Sequence, residues 1–176
     1  MRKLFAVAGL MLLLGAGCTW GKQEEVKPVA SPEFKEKYED ADYGFSFRFP
    51  GYMETHLRDK DTRAYKYLGL DVDFFLSLRD TVREDKPISL AYFYAAKGLT
   101  TDGFVEAIKN NKDEVKSIED VELGGVAAKR IVSTTQTAGL EKTHYVFERN
   151  ESLIIVSVFL EEEKAVELVL GTMSAN

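Results

Sequence analysis

Two histidines, His56 and His144, are the only imidazoles in 176 residues, so any acid–base step or metal site built on histidine must use them. Paired in space they could share a metal or pass a proton. Singly, each reads as a polar residue of a strand, and the alternation in "KTHYVF" leaves the face of His144 to the strand register. Asp71 and Asp73 stand two apart in "LDVDFF", which on a strand sets both carboxylates on one side about 7 Å apart, a spacing from which two carboxylates can share calcium. No glycine–asparagine loop follows to supply further oxygens, so a solvated polar edge is the better account of the pair. "ELGGVA" lacks the Lys-Ser/Thr of a phosphate loop, and its Gly124 and Gly125 read as a tight turn. Ser46, Ser77, Ser89, Ser133 and Ser157 lie inside strand patterns, none in a nucleophile elbow. The expectation is a non-enzymatic chain with no cofactor and no resident metal.

One residue has a definite chemical assignment. Met1, Arg2 and Lys3 precede an uncharged run from Leu4 to Gly17, a basic start and apolar stretch of export-signal type, too short for the roughly 20 residues of a spanning helix. Gly15, Ala16 and Gly17 before Cys18 resemble a bacterial lipobox, with Gly15 where leucine is commonest. That resemblance implies cleavage before Cys18, diacylation of its thiol, and a chain held at a membrane by lipid rather than by a helix. Cys18 is the sole cysteine, so no intramolecular disulfide forms. Thr19 stands where inner-membrane lipoproteins carry aspartate, favouring the periplasmic face of the outer membrane if the envelope has two membranes.

The elements that must position the remainder follow from pattern. Residues 1–17 form the signal and 18–40 a polar tether with Pro28 and Pro32. Residues 41–176 form one domain. Of 23 basic residues, Arg2 and Lys3 leave with the signal; 21 against 29 acidic residues make a formal −8, which with no basic stripe argues against nucleic-acid binding. Phe45, Phe47 and Phe49 alternate in "GFSFRFP", and Leu70, Val72, Phe74, Leu76 and Leu78 are expected on one face of a second strand. "PISLAYFYAAK" is apolar on both faces, with Ile88, Leu90, Tyr92 and Tyr94 expected together. Strands are expected over 126–135, 141–149 and 152–160, joined by short turns into an antiparallel meander whose last member is central. Thr101 or Asp102 caps a helix bearing Phe104, Ala107 and Ile108. Glu161–Glu163 open a closing helix, where they complement its dipole. The sum is an α+β fold, a mostly antiparallel sheet sandwiched between helices.

"YGFSFRFPGYM" resembles the "GFSF.YP..W" opening of PsbP-like proteins, with Met53 at the tryptophan position, and the order of elements from Tyr43 to Met173 is similar to the PsbP/Mog fold. Members of that group include photosystem II extrinsic subunits, a nuclear Ran-binding protein and bacterial envelope lipoproteins, so the resemblance implies a binding or accessory module. No functional residue transfers with it. Tyr52, Tyr65, Tyr67, Phe75, Tyr92, Phe93, Tyr94 and Tyr145 exceed what a sheet core requires, and suit an interface. The expected function is that of a membrane-anchored accessory module for an envelope protein partner. The alternative is a carrier or sensor of a small apolar or lipidic ligand.

Overall fold

The computed structural model describes residues 33–82, 87–136 and 138–175. The signal, Cys18 and most of the tether lie outside them.

Among the described residues eleven strands form two sheets, accompanied by two α-helices. β1 (Glu36–Asp40) and β2 (Phe45–Phe49) form a hairpin, and the two-residue β11 (Ser174–Ala175) adds to the other side of β2. β1 occupies the last residues of the segment expected as tether. The larger sheet contains β3 (Met53–Leu57), β4 (Ala64–Tyr67), β5 (Leu70–Asp80), β6 (Ile88–Lys97), β7 (Glu114–Leu123), β8 (Val126–Thr134), β9 (Glu141–Arg149) and β10 (Ser152–Phe159). Its order is β3-β5-β6-β10-β9-β8-β7, with β4 also paired to β5, and every pairing is antiparallel. β10 lies at the centre, as its two apolar faces require. The two-residue turn at Asn150 and Glu151, with φ of 45° and 60°, joins it to β9.

Helix α1 (Thr101–Asn110) follows β6, and α2 (Glu163–Leu170) follows a short 3-10 turn after β10. The cap of α1 is Thr100 rather than Thr101 or Asp102; its Oγ1 accepts a hydrogen bond from the Gly103 N–H at 3.1 Å.

Two hydrophobic cores lie on opposite faces of the large sheet. One holds Phe45 and Phe47 of β2 against Phe75, Phe93 and Phe147, with Val166, Val169 and Leu170 of α2. The other gathers Phe104 and Ile108 of α1 with Ile131, Val146, Leu153 and Ile155. Sheet dominates the architecture: the first face is filled largely by the three-stranded sheet, where helix alone was expected. The mostly antiparallel sheet with two helices stands as anticipated.

Two irregularities redirect side chains. Phe74 pairs with Tyr94 and Leu76 with Phe93, so Phe75 is an extra residue, and a bulge there sends Phe75, Leu76 and Leu78 to the β2 core while Val72 and Phe74 face the α1 side. The expected single face from Leu70 to Leu78 is thus split. Leu78 pairs with Ala91 and Arg79 with Ser89, which leaves Leu90 unpaired and turns it into the β2 core, away from Tyr92 and Tyr94.

Candidate functional site

The register brings both histidines onto one row of one face. His56 pairs with Ser77, Ser77 with Tyr92, Tyr92 with Ser157, and Ser157 with His144. Four strand spacings still separate the two imidazoles, about 19 Å at 4.8 Å per step, so they cannot share a metal or a proton. His56 is exposed on β3. His144 is buried, its Nδ1 2.9 Å from Ser157 Oγ and its Nε2 3.2 Å from Ser133 Oγ, with the Phe104 ring edge-on at 5.3 Å between centroids. Ser157 Oγ lies 2.8 Å from Tyr67 Oη, completing a chain from Ser133 through His144 and Ser157 to Tyr67. Burial, reinforced by the nearby Lys142 charge, pushes the His144 pKa down to about 3, so the ring is neutral at pH 7 and a weak base. Burial likewise raises the Tyr67 phenol to about 12. The chain is a hydrogen-bonded brace across β8, β9, β10 and β4, which satisfies polar groups that a core position would otherwise penalise.

Asp71 and Asp73 each have a partner within the chain. Asp71 is engaged by Lys66 at 2.6 Å, and Asp73 accepts a hydrogen bond from the Tyr43 hydroxyl at 3.3 Å. Among the described residues no three metal-ligating side chains converge.

Glu163 opens α2 as expected and is also tied to the sheet. Its Oε1 accepts from Arg130 Nε and Nη2, each at 2.7 Å, and from the Tyr145 hydroxyl at 3.1 Å, pinning α2 to β8 and β9. Burial opposes its charge, but hydrogen bonds and attraction from Arg130, joined by Tyr145, prevail and hold its carboxyl below the usual range. Register pairs Arg130 with Tyr145 across β8 and β9; Glu163 closes the group because the path of the chain after β10 brings it there. Glu163→Gln leaves the Arg130 guanidinium, 21% exposed, with only its longer 3.4 Å contact to the exposed Glu119, and is expected to cost about 1 kcal/mol in chemical denaturation at pH 7.

The sheet face that carries the histidine brace holds the larger feature. Tyr67 stacks on Tyr94 at 4.4 Å between centroids and 10° between planes; Tyr65, Phe74 and Tyr92 extend the array, with Phe74 5.6 Å from Tyr92 and 5.2 Å from Tyr94. Helix α1 is ten residues, about 15 Å, and covers Leu153, Ile155 and Val146 but not the far ends of the strands. There Tyr65 is 47% and Phe159 39% exposed, Phe74 and Tyr92 are half-buried, and Leu140 follows beyond β9. Arg58 lies over the Phe74 ring at 4.7 Å and Lys142 over Phe159 at 5.6 Å, both in cation–π geometry. The result is an aromatic shelf across β4, β5 and β6, with Phe159 of β10 standing beside it across a small recess. A recess of about 60 Å³ lies among Tyr67, Tyr92, Lys142, Ser157 and Phe159, with room for a water or two, and on the far side of Phe159 an open concavity of about 700 Å³ is lined by Lys116, Leu140, Glu141 and Glu161. Of the eight aromatics singled out in the sequence, Tyr65, Tyr67, Tyr92 and Tyr94 belong to this array. Phe75, Phe93 and Tyr145 are buried on the other face, and Tyr52 is exposed apart from it.

No family model and no curated protein matches the sequence. The structure does find a counterpart: the solution structure of cyanobacterial PsbP (CyanoP) from Synechocystis sp. PCC 6803 superposes with a TM-score of 0.52 at 12% identity, over 85% of this chain and 100% of that one. The fold is PsbP-like. A Bacteroides thetaiotaomicron crystal structure is more distant, with a TM-score of 0.46 and 15% identity, covering 82% of this chain and 49% of that one. A PsbP-like fold at this identity fixes architecture and leaves function to the surface.

Proposed function

We propose that this chain is a lipid-anchored, non-enzymatic accessory module of the bacterial envelope that docks a protein partner through the aromatic shelf. The observation that carries this reading is the shelf itself, a run of rings with Tyr65 and Phe159 open to solvent on a chain of net charge −6. Large apolar surface of this kind marks interaction sites. A carrier of an apolar ligand calls for an enclosed pocket of several hundred Å³; the recess in the shelf holds about 60 Å³, and the concavity of about 700 Å³ beside Phe159 is open to solvent. Anchorage rests on the signal, the lipobox-like Gly15–Gly17 and Cys18. The partner is an envelope protein, met at the periplasmic face of the outer membrane where there is one.

In-cell crosslinking read by mass spectrometry tests the reading. The native chain is expected to capture one partner near-stoichiometrically, and the Tyr65→Ser, Phe159→Ser double variant to lose at least about tenfold of that capture, since truncating aromatic hot spots costs 2 kcal/mol or more. Both positions are exposed, so the variant should retain its circular dichroism spectrum. Undiminished capture by the double variant refutes the shelf as the docking surface. Cys18→Ser is expected to move the chain from the detergent to the aqueous phase in Triton partitioning, and unchanged partitioning refutes the anchor.

A further inference from the structure

The chain enters the domain at one end of the large sheet. Phe34 packs on the β2 core, which fixes the course of the chain from that residue onward. Glu36 pairs with Phe49, the last residue of β2. Pro50, Gly51 and Tyr52 follow as a turn, and the Tyr52 carbonyl accepts hydrogen bonds from the N–H and the hydroxyl of Thr81, just past β5. The turn between β1 and β2 lies at the other end, where the Asp42 carbonyl accepts from the side-chain amide of Asn150 between β9 and β10. Exposed apolar side chains are shared unequally between these ends. A row of paired residues, Leu78, Ala91, Val158 and Thr143, crosses the sheet from β5 to β9. On the entry side Leu140 stands three residues beyond this row, Tyr52 stands beside Thr81 at the same remove, and Val82 is four beyond. They are 51%, 37% and 72% exposed, respectively. Among the described residues the far-end turns at 42–44, 98–100, 124–125 and 150–151 expose no large apolar side chain.

Resting on the lipid anchorage proposed above, we infer that the domain stands on the lipid surface by its entry end, with Tyr52, Val82 and Leu140 in the headgroup region. From Cys18 to Glu33 are fifteen residues, which reach at most about 54 Å however they are arranged. β10 alone is eight residues, about 26 Å, so placing the far end on the lipid would commit much of that reach to running back past the sheet. The entry end needs no such detour, and it is the end whose turns carry apolar side chains. Tyrosine suits the interface because its ring is apolar and its hydroxyl is wet. Val82 and Leu140 lose apolar exposure to water on contact. All three project from turns, so they can enter the headgroups without disturbing a strand. The strands then stand upright on the membrane, and the aromatic shelf faces sideways, toward a partner standing on the same surface.

The test uses the full chain, extracted from membranes with its acyl chains and reconstituted in phosphatidylcholine vesicles that carry a nitroxide quencher just below the headgroups. Acylation blocks Cys18, the sole cysteine, so a cysteine introduced by substitution is the one residue a thiol-reactive fluorophore labels. Labels at Val82→Cys and Leu140→Cys are expected to lose most of their emission to the quencher. Labels at Lys97→Cys, at the far end, and at Ile118→Cys and Leu168→Cys, exposed apolar positions along the sides on β7 and α2, are expected to keep it. All of these positions are exposed, so the variants should retain the native circular dichroism spectrum. Adding Tyr52→Ser and Leu140→Ser to the Val82→Cys chain should weaken quenching at 82. Undiminished quenching there would mean that the fluorophore itself seeks the lipid, and overturns the inference. Absence of quenching at 82 and 140, equal quenching at every position, or stronger quenching at 97, 118 or 168 overturns the orientation and leaves the anchor standing. A chain that does not float with the vesicles overturns the anchorage and the orientation together.

Discussion

Gly124→Ala is expected to destabilise the domain by about 3 kcal/mol or more, lowering the midpoint of thermal unfolding by roughly 10 °C. Two effects combine. Gly124 has φ +58°, where an L side chain costs about 1–2 kcal/mol. A Cβ there would also lie 2.2 Å from Met173 O and 2.6 Å from Met173 N, which are backbone atoms and cannot turn aside. The chain after α2 crosses the β7–β8 hairpin at this point, its Met173 side chain is buried in the β2 core, and the next two residues pair with β2 as β11. Displacing Met173 therefore loosens the last turn of α2 and the edge of the small sheet together. Gly125 is the matched control. Its φ is +90° but nothing lies within 4 Å of an added Cβ, so Gly125→Asn, an asparagine being tolerant of positive φ, is expected to cost about 1 kcal/mol. Equal losses at the two positions in differential scanning calorimetry would show that backbone conformation, and not the close approach to Met173, is what the first glycine serves.

The second large effect is acid destabilisation through His144. The unfolded chain takes up a proton on this residue near pH 6.5, whereas the folded chain, with the imidazole buried between two serine hydroxyls and the ring of Phe104, resists until about pH 3. Below pH 6.5 the unfolded state thus binds more protons than the folded state, and stability falls as pH falls. The contribution is complete above pH 6.5, declines through the window down to about pH 3, and is flat below it. Between pH 7 and pH 4.5 the loss is on the order of 2.5 kcal/mol at about 1.4 kcal/mol per unit. Carboxylates titrate in part of the same window, so the measurement is a difference. Urea denaturation of the native chain and of His144→Gln, whose amide can bond to either serine and does not titrate, should show stability curves that converge by this amount as pH is lowered. Parallel curves would mean that the imidazole opens to water and protonates in the folded state.

How much of this was legible beforehand depended on what each residue had to satisfy. β2, β6, β8, β9, β10 and both helices were readable because burial on one or both faces imposes a period on the sequence, and because the turns at Gly124–Gly125 and Asn150–Glu151 carry their own chemistry. β7 was not. "EVKSIEDVEL" is an edge strand with most side chains in solvent, its glutamates and aspartate doing what edge strands require, and such a strand leaves little hydrophobic alternation to detect. The short strands β1, β3 and β4 escaped for the same reason.

The bulge at Phe75 and the extra Leu90 show a different limit. Alternation assigns faces only while the register is unbroken, and a single inserted residue reverses every assignment after it. The sequence by itself determined that β8, β9 and β10 form an antiparallel meander and that β10 is central. Tertiary structure alone decided that His144 is braced by two serines on separate strands and that Glu163 joins Arg130 and Tyr145. It also decided that α1 stops short of the strand ends and leaves the aromatic shelf uncovered. Those outcomes depend on contacts between residues 11 to 90 positions apart, set by strand order and helix placement, which no local period encodes.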